Sequence, residues 1–333
     1  MLPATSLTAR CWNPGQLARA HVKIVRTRWW RIHVAGAQRR GHIVATSDDM
    51  RRKRRSAGAS ATRAPSGPRR LAAAVLGVAA LLVSPRGAWA SDCPGRTDVI
   101  ATDRPDTTNS SLVVPFGSLQ VENGINWAVH QGSQVLDASE TRARLGVAHC
   151  SEVLVDVPNY FIALNGLASS QLSNFTVSIK RQLFPERRSF SLSASAGFGF
   201  PVGHSGDSDA FYTPYVQFPW SLAVADDWSV NGMLTVTWMV NRAEHTSIVE
   251  PTLVVEREVG SKGDLFVEYI GDFATRTPAS HIADVGGAWH VTLRQQFDFH
   301  LGFGLTRSAP DRYVGVGYSL RLDGLFGASP QQQ

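Results

Sequence analysis

SFSLSASAGFGF, residues 189–200, alternates small polar and apolar residues without a break. Ser189, Ser191, Ser193, Ser195, Gly197 and Gly199 occupy one parity; Phe190, Leu192, Ala194, Ala196, Phe198 and Phe200 occupy the other. A period of two belongs to a β-strand, whose successive side chains point to opposite faces. Either the apolar face packs in a protein core and the serines meet water, or the apolar face meets lipid and the serines point inward.

The same alternation runs outward in both directions. Leu119, Val121, Ile125, Trp127 and Val129 oppose Gln120, Glu122, Asn126 and His130. Val153, Val155 and Val157 oppose Glu152 and Asp156. Phe218, Trp220 and Leu222, then Trp228, Val230, Leu234, Val236 and Trp238, continue the apolar parity. Val249, Leu253 and Val255 oppose Glu250, Glu256 and Glu258; Leu265, Val267 and Tyr269 oppose Asp264, Glu268 and Asp272. Phe297, Phe299, Leu301 and Phe303 oppose Asp298 and His300; Val314, Val316, Tyr318 and Leu320 oppose Gly315, Gly317, Ser319 and Arg321. The pattern predicts about twelve strands of roughly 8–14 residues, in the range a tilted membrane strand needs. HCSE, FPERR, ADD, GSKG and TLRQ form short turns, whereas 131–137, 164–173, 201–210 and 275–280 form longer loops, although 242–246 and 308–311 at the same end are short.

Upstream of this body the chain changes character. Of 33 Lys and Arg, 17 lie in residues 1–90, with only Asp48 and Asp49 as acids there, so the net +6 of the whole becomes −9 for residues 91–333. A basic charge balance that sits entirely in a leader argues against nucleic acid as a partner of the body. RRLAAAVLGVAALLVSPRGAWASD, residues 69–92, has a basic pair, a short apolar run and Ala88-Trp89-Ala90, the parts of a secretory signal with cleavage expected after Ala90. Its apolar run is too short to span a bilayer as a helix, which takes about 20 residues. Residues 1–68 form a basic extension without period, and Met50 is the expected translation start. The remaining units are an irregular segment 91–116, a barrel 117–323 and a tail 324–333. Cys93 and Cys150, the two cysteines of the exported part, are permitted but not required to form a disulfide.

Three features decide for lipid over a soluble sandwich. Large apolar residues mark one face of essentially every strand, with no weak edge strands. Trp127, Phe200, Trp220, Trp228, Trp238 and Phe273 cluster near strand ends, as an interfacial girdle requires. The opposite face is charged and rich in Gly and Ser, which suits a watery lumen. The expected fold is an all-β, transmembrane, antiparallel up-and-down β-barrel of about twelve strands with a non-regular N-terminal segment.

TDRPDTTNSSLVVPFGSLQVENGINW (102–127), followed by TRARLGVAHCSEVLVDVP (141–158), resembles the opening of the transporter-like outer-membrane barrels named for a MetA pathway of phenol degradation. FPVGHSGDSDAFYTPYVQFPWSLAVADDWSVNG (200–232) is similar to that family's middle hairpin and LGFGLTRSAPDRYVGVGYSLRL (301–322) to its closing one. The resemblance covers about residues 97–322 and implies passage of small hydrophobic or aromatic compounds across the outer membrane of a Gram-negative bacterium. The chain departs from common barrel practice at its end, running on to GLFGASPQQQ instead of stopping at a terminal aromatic residue.

Parity assigns a set of charged side chains to the lumen: Arg142, Arg144, Asp156, Lys180, Glu250, Glu256, Glu258, Asp264, Glu268, Asp272, Asp298 and Arg321. They are read either as structural cross-strand pairs or as a constriction that selects permeants. Turn-centred counting sets Arg142 opposite Asp156 and Asp298 opposite Arg321. Glu250, Glu256 and Glu258 facing Asp264, Glu268 and Asp272 give one hairpin an acidic inner wall, which needs compensation from Arg142, Arg144 and Lys180, from Arg104, or from cations. If the barrel conducts, that wall predicts cation preference. The segment Thr102, Asp103, Arg104, Pro105 and Asp106 is read as a plug or rim anchor. No catalytic, cofactor-binding or metal-ligating set is expected; His149 beside Ser151 is too local for a dyad, and no H-x-x-x-H occurs. A lipid-acting barrel enzyme and a purely structural barrel are the competing readings. Expected partners are outer-membrane lipid, the barrel-assembly machinery and a small permeant.

Overall fold

The computed structural model describes residues 22–24, 32–34, 93–167, 170–184, 189–202, 211–241, 245–275 and 277–326. The signal segment with its cleavage after Ala90, the Met50 start, the FPERR turn (185–188), most of the 201–210 loop (203–210) and the tail beyond Phe326 lie outside the described residues. In the leader, β1 (Val22–Ile24) and β2 (Ile32–Val34) pair as an antiparallel ribbon in a sheet of their own.

The body is one closed antiparallel sheet. Its strands are β3 (Leu119–His130), β4 (Ser133–Ala138), β5 (Arg142–Ala148), β6 (Ser151–Asp156), β7 (Tyr160–Ala163), β8 (Gln171–Leu172) and β9 (Phe175–Phe184). There follow β10 (Phe190–Phe200), β11 (Thr213–Ala225), β12 (Trp228–Val240), β13 (His245–Val259) and β14 (Gly263–Ala274). The last three are β15 (Ser280–Thr292), β16 (Gln295–Gly304) and β17 (Arg312–Leu322). β17 returns to β3, from Arg312 opposite Val129 to Leu322 opposite Leu119, and so closes the ring. β4 and β5 both pair with β3, β6 and β7 continue one register (Arg142 opposite Asp156, Val135 opposite Ala163), and β8 leads into β9. Each of these three pairs is a single interrupted stave, so the fifteen segments make twelve staves, as the periodicity predicts.

One expected loop is a strand. Residues 131–137 read as a loop, but the chain reverses in two residues, Gln131 (φ 48°) and Gly132 (φ 82°), and β4 pairs with β3 from Ser133 onward. Positive φ at both central residues is the turn that matches the right-handed twist of a hairpin. The polar sequence SQVLDA hid the strand, because only Val135 and Leu136 in it are strongly apolar.

Burial is inverted relative to a water-soluble protein. Glu122, Arg144, Glu152, Lys180, Glu268, Asp284, His300 and Arg321 are all buried, while Leu265, Val267, Phe297, Phe299, Phe303 and Val316 are each at least half exposed. Ser191, Ser193 and Ser195 lie inside and Phe190 and Phe200 outside, which answers the question posed by residues 189–200. A continuous apolar outer band of this size has no aqueous solution; lipid is the solvent that fits. Arg257 lies over the Trp228 ring (5.2 Å) near one rim and Arg312 over Trp127 (5.9 Å) near the other, consistent with cations that reach back to the interface. Val267, mid-strand and 58% exposed, is the site to test this. Val267→Arg is expected to destabilise the inserted barrel by about 2–4 kcal/mol, read from urea unfolding in lipid vesicles; a change near zero would mean that the band does not face hydrocarbon.

Candidate functional site: a plugged lumen

Residues 100–118 are packed inside the barrel, whereas Thr97, Asp98 and Val99 before them are exposed. The segment starts at a disulfide between Cys93 and Cys150, the latter in the turn between β5 and β6. It ends where Gly117 N donates to Gly146 O (2.9 Å), just before β3 begins. Between these points Asp103, Arg104, Thr107, Thr108, Asn109 and Ser111 are buried against the inner wall. An irregular segment has no ladder partners of its own, so its backbone groups must be met by the wall. They are: Thr107 N and Thr108 N donate to Glu268 (2.8 and 2.9 Å), Val114 N to Glu152 (2.7 Å), and Asp103 N to Glu122 (3.1 Å). Asn109 Nδ2 donates to Gln217 (3.0 Å), and Ser193 donates to the Ser111 carbonyl.

Two ionic centres fix the segment. In the first, Asp103 accepts from Arg142 (2.9 Å) and lies 3.3 Å from Lys180 and 3.4 Å from Arg144. Arg142 also grips Asp156 through two bonds, the pair that turn counting anticipated. Arg144, fully buried, spans Glu152 (2.9 Å), Glu122 (3.0 Å) and the plug carbonyls of Ala101 and Leu112. In the second centre, Arg104 reaches Glu140 (2.6 Å) and Asp298 (3.3 Å). Its guanidinium lies flat on Gly124 and Gly317, which face each other across the β3–β17 ladder; a Cβ on either glycine would fall about 2.3–2.5 Å from the guanidinium group. Thr102 Oγ1 donates to the Arg104 carbonyl (2.6 Å), and Gln296 donates to Thr102 (2.9 Å), so the TDRPD turn is held from both sides. The Arg104–Pro105 peptide is cis, and Asp106 is half-buried at the edge of a cavity.

Two expectations are corrected. Asp298 faces Gly317, not Arg321, because the connection between β16 and β17 is centred between Arg307 and Ser308, two residues before the centre of SAPD. Arg321 instead meets Asp323 (3.0 Å) and donates to the carbonyls of Arg96 and Asp98. The acidic wall is also compensated differently. Arg142, Arg144, Lys180 and Arg104 are all engaged elsewhere, and Glu268 is met by plug amides. Glu256 accepts from Asn231 (2.7 Å), and Asp264 lies 3.4 Å from His290. Glu258 stands opposite Asp264 near the rim, while Glu250 and Asp272 are buried in the wall.

Burial alone would raise the Asp323 carboxyl, but hydrogen bonds from Arg294 and Ser118 and the charge of Arg321 outweigh it and lower its pKa. A depressed folded pKa contributes stability above the unfolded value of about 3.9 and loses it as pH falls through the folded one. Acidification below pH ~4 is therefore expected to loosen the chain end from Ser118 and Arg294. Hydrogen exchange at Leu325, whose N–H donates to Gly117 (2.8 Å), reads this; unchanged protection would overturn it.

The two ends of the lumen differ. At the end carrying the tight turns, a cavity of about 700 Å³ lies between plug residues and Asn231, Glu256, Glu258, Asp264 and His290. At the opposite end the inner face is apolar: Ala128, Val135, Phe161, Ile270, Ile282 and Tyr313 cluster with Ala309 from the connection before β17. Phe211, Met239 and Ile248 form a second group. Beneath the first group, Tyr313 donates to Asp284 (2.9 Å), which also lies 3.1 Å from His300, and the buried Asn126 side chain has neither amide atom hydrogen-bonded. The inner apolar group escaped the sequence reading, although Ile270 shares the parity of Glu268 and Ile282 that of Asp284.

An outer membrane channel from Pseudomonas putida F1 superposes with a TM-score of 0.51 at 11% identity, over 66% of this chain and 99% of that one. The NanC porin gives a TM-score of 0.43 at 10% identity, over 61% and 100%. A search of curated proteins found no match. The profile of the MetA-pathway of phenol degradation family matches residues 102–322, from the plug turn that carries Arg104 to the end of the closing strand, and the chain belongs to that family.

Proposed function

We propose that this barrel is an outer-membrane channel for uptake of small apolar, notably aromatic, compounds, with the loops outside and both chain ends in the periplasm. The observation that carries the reading is the apolar inner cluster of Phe161, Ile270, Ile282 and Tyr313 at the loop end. A lumen filled with water has no need of such a cluster, whereas an apolar solute leaving a dilute solution gains about 25 cal/mol per Å² of surface it buries there. The segment packed below the cluster narrows the aqueous path, so a solute retained by apolar contact has an advantage over hydrophilic ones. Any residual aqueous path passes Glu256, Glu258 and Asp264, which favour cations.

The test is entry of 1-naphthol, a fluorescent apolar aromatic, into liposomes carrying the barrel, beside a sugar of similar size. Faster entry of naphthol alone supports the reading, and Ile282→Glu, which sets a carboxylate in the apolar cluster, is expected to abolish the advantage while the barrel stays folded. Equal entry of both solutes, or naphthol entry no faster than into empty liposomes, would sink it. In a KCl gradient, any ionic steps are expected to reverse on the cation-selective side.

A further inference from the structure

The plug is pinned at its start by a group with more chemistry than a cross-link. Cys93, Cys150 and His149 present two sulfurs and a ring nitrogen that all lie within 4.8 Å of one another. The Cα atoms of the two cysteines are 5.4 Å apart and the sulfurs are bonded. Cys150 is buried and His149 exposed, so the group is rooted in the β5–β6 turn and open to water on one side. Thiolate and imidazole are the usual donors of zinc sites, with Zn–S about 2.3 Å and Zn–N about 2.0–2.1 Å. Tetrahedral geometry sets such donors roughly 3.3–3.8 Å apart. The three donor atoms already lie within 4.8 Å of one another, so opening the S–S bond frees the two sulfurs to take up that spacing, with the fourth position left for water.

We propose that the dithiol form of this protein binds one zinc-class ion through Cys93, Cys150 and His149, and that the ion then replaces the disulfide as the pin of the plug. Opening the pin takes an external dithiol. It gives up two electrons and two protons and becomes a disulfide, while Cys93 and Cys150 become thiols. The incoming ion displaces the two thiol protons to solvent, so binding tightens as pH rises. Both states tie the same two points of the chain, the start of the plug and the β5–β6 turn. The plug therefore keeps its anchor in either redox condition and is loosened only when reduced and metal-free.

The experiment uses the protein purified from membranes in detergent, reduced anaerobically with a phosphine and titrated with Co²⁺. The expected result is a thiolate-to-cobalt charge-transfer band that saturates at one ion per chain and is displaced by Zn²⁺. His149→Ala, which leaves the cysteines in place, is expected to weaken Zn²⁺ binding by about ten-fold or more with the disulfide still forming in air. Heat-dependent gel mobility reports that each sample is a folded barrel. A folded, reduced barrel without the band overturns the proposal, as does binding by His149→Ala as tight as the unsubstituted chain, or binding that survives Cys93→Ser undiminished.

Discussion

Arg144→Met is expected to destabilise the barrel by about 3–5 kcal/mol, the usual consequence of removing one partner from a buried ionic group. The magnitude follows from what is left behind. Glu122, Glu152 and Asp103 all lie within 3.4 Å of the Arg144 guanidinium, and all three are buried. Asp103 would keep Arg142 (2.9 Å) and Lys180 (3.3 Å), but Glu152 would be left with Lys180 at 3.5 Å. The plug carbonyls of Ala101 and Leu112 lose their donor at the same time. Arg144→Lys is expected to recover little, since a point charge on a flexible stem cannot span two carboxylates and two carbonyls that a planar fork bridges at once. Urea unfolding in vesicles, followed by tryptophan fluorescence, measures the loss. A shift under ~1 kcal/mol, the range of solvated surface pairs, would show that water rather than Arg144 balances these acids.

Gly317→Val is expected to open the lumen. Its Cβ would fall 2.5 Å from Arg104 Nε and from Asp298 Oδ1, so neither the guanidinium nor its partner could keep its place. Arg104 would have to leave Glu140 and Asp298, two buried carboxylates whose loss of a cation costs about 3–5 kcal/mol. At 1.4 kcal/mol per decade, that is a shift of roughly 100-fold or more toward the unseated plug. Planar-bilayer recordings are expected to change from rare openings to sustained conductance, and Arg104→Ala to give the same phenotype with the wall intact. A Gly317→Val barrel that inserts, folds and stays silent would mean that the rest of the plug closes the lumen without Arg104.

How far these groups could be read in advance depends on the distance over which each is determined. The parity of SFSLSASAGFGF is local, and it placed Ser191, Ser193 and Ser195 inside. Arg142 and Asp156 lie close to a short turn at 149–150, where the one-residue register shift between Gly146 and Ala148 moves the partner by only one position, so their pairing was legible. Asp298 and Arg321 flank a longer connection, where an error of two residues in the turn centre displaces the partner by four. The plug contacts carry no local signal at all: Thr107 and Thr108 meet Glu268 across about 160 residues through backbone N–H groups, which every non-proline residue has. The disulfide was permitted by compartment and required by nothing in the sequence.

The position of Arg104 has a consequence for how the molecule is made. Its two supporting glycines belong to β3 and β17, the first and last staves to be synthesised, and Asp298 comes from β16 beside the latter. Until those chain ends meet there is no floor for the guanidinium and only half of its charge partners. Seating of Arg104 therefore waits on closure of the ring, and a barrel stalled one strand short lacks this latch. The latch is thus also a sign of completion: Arg104 finds its seat only after the last hydrogen-bond ladder has zipped.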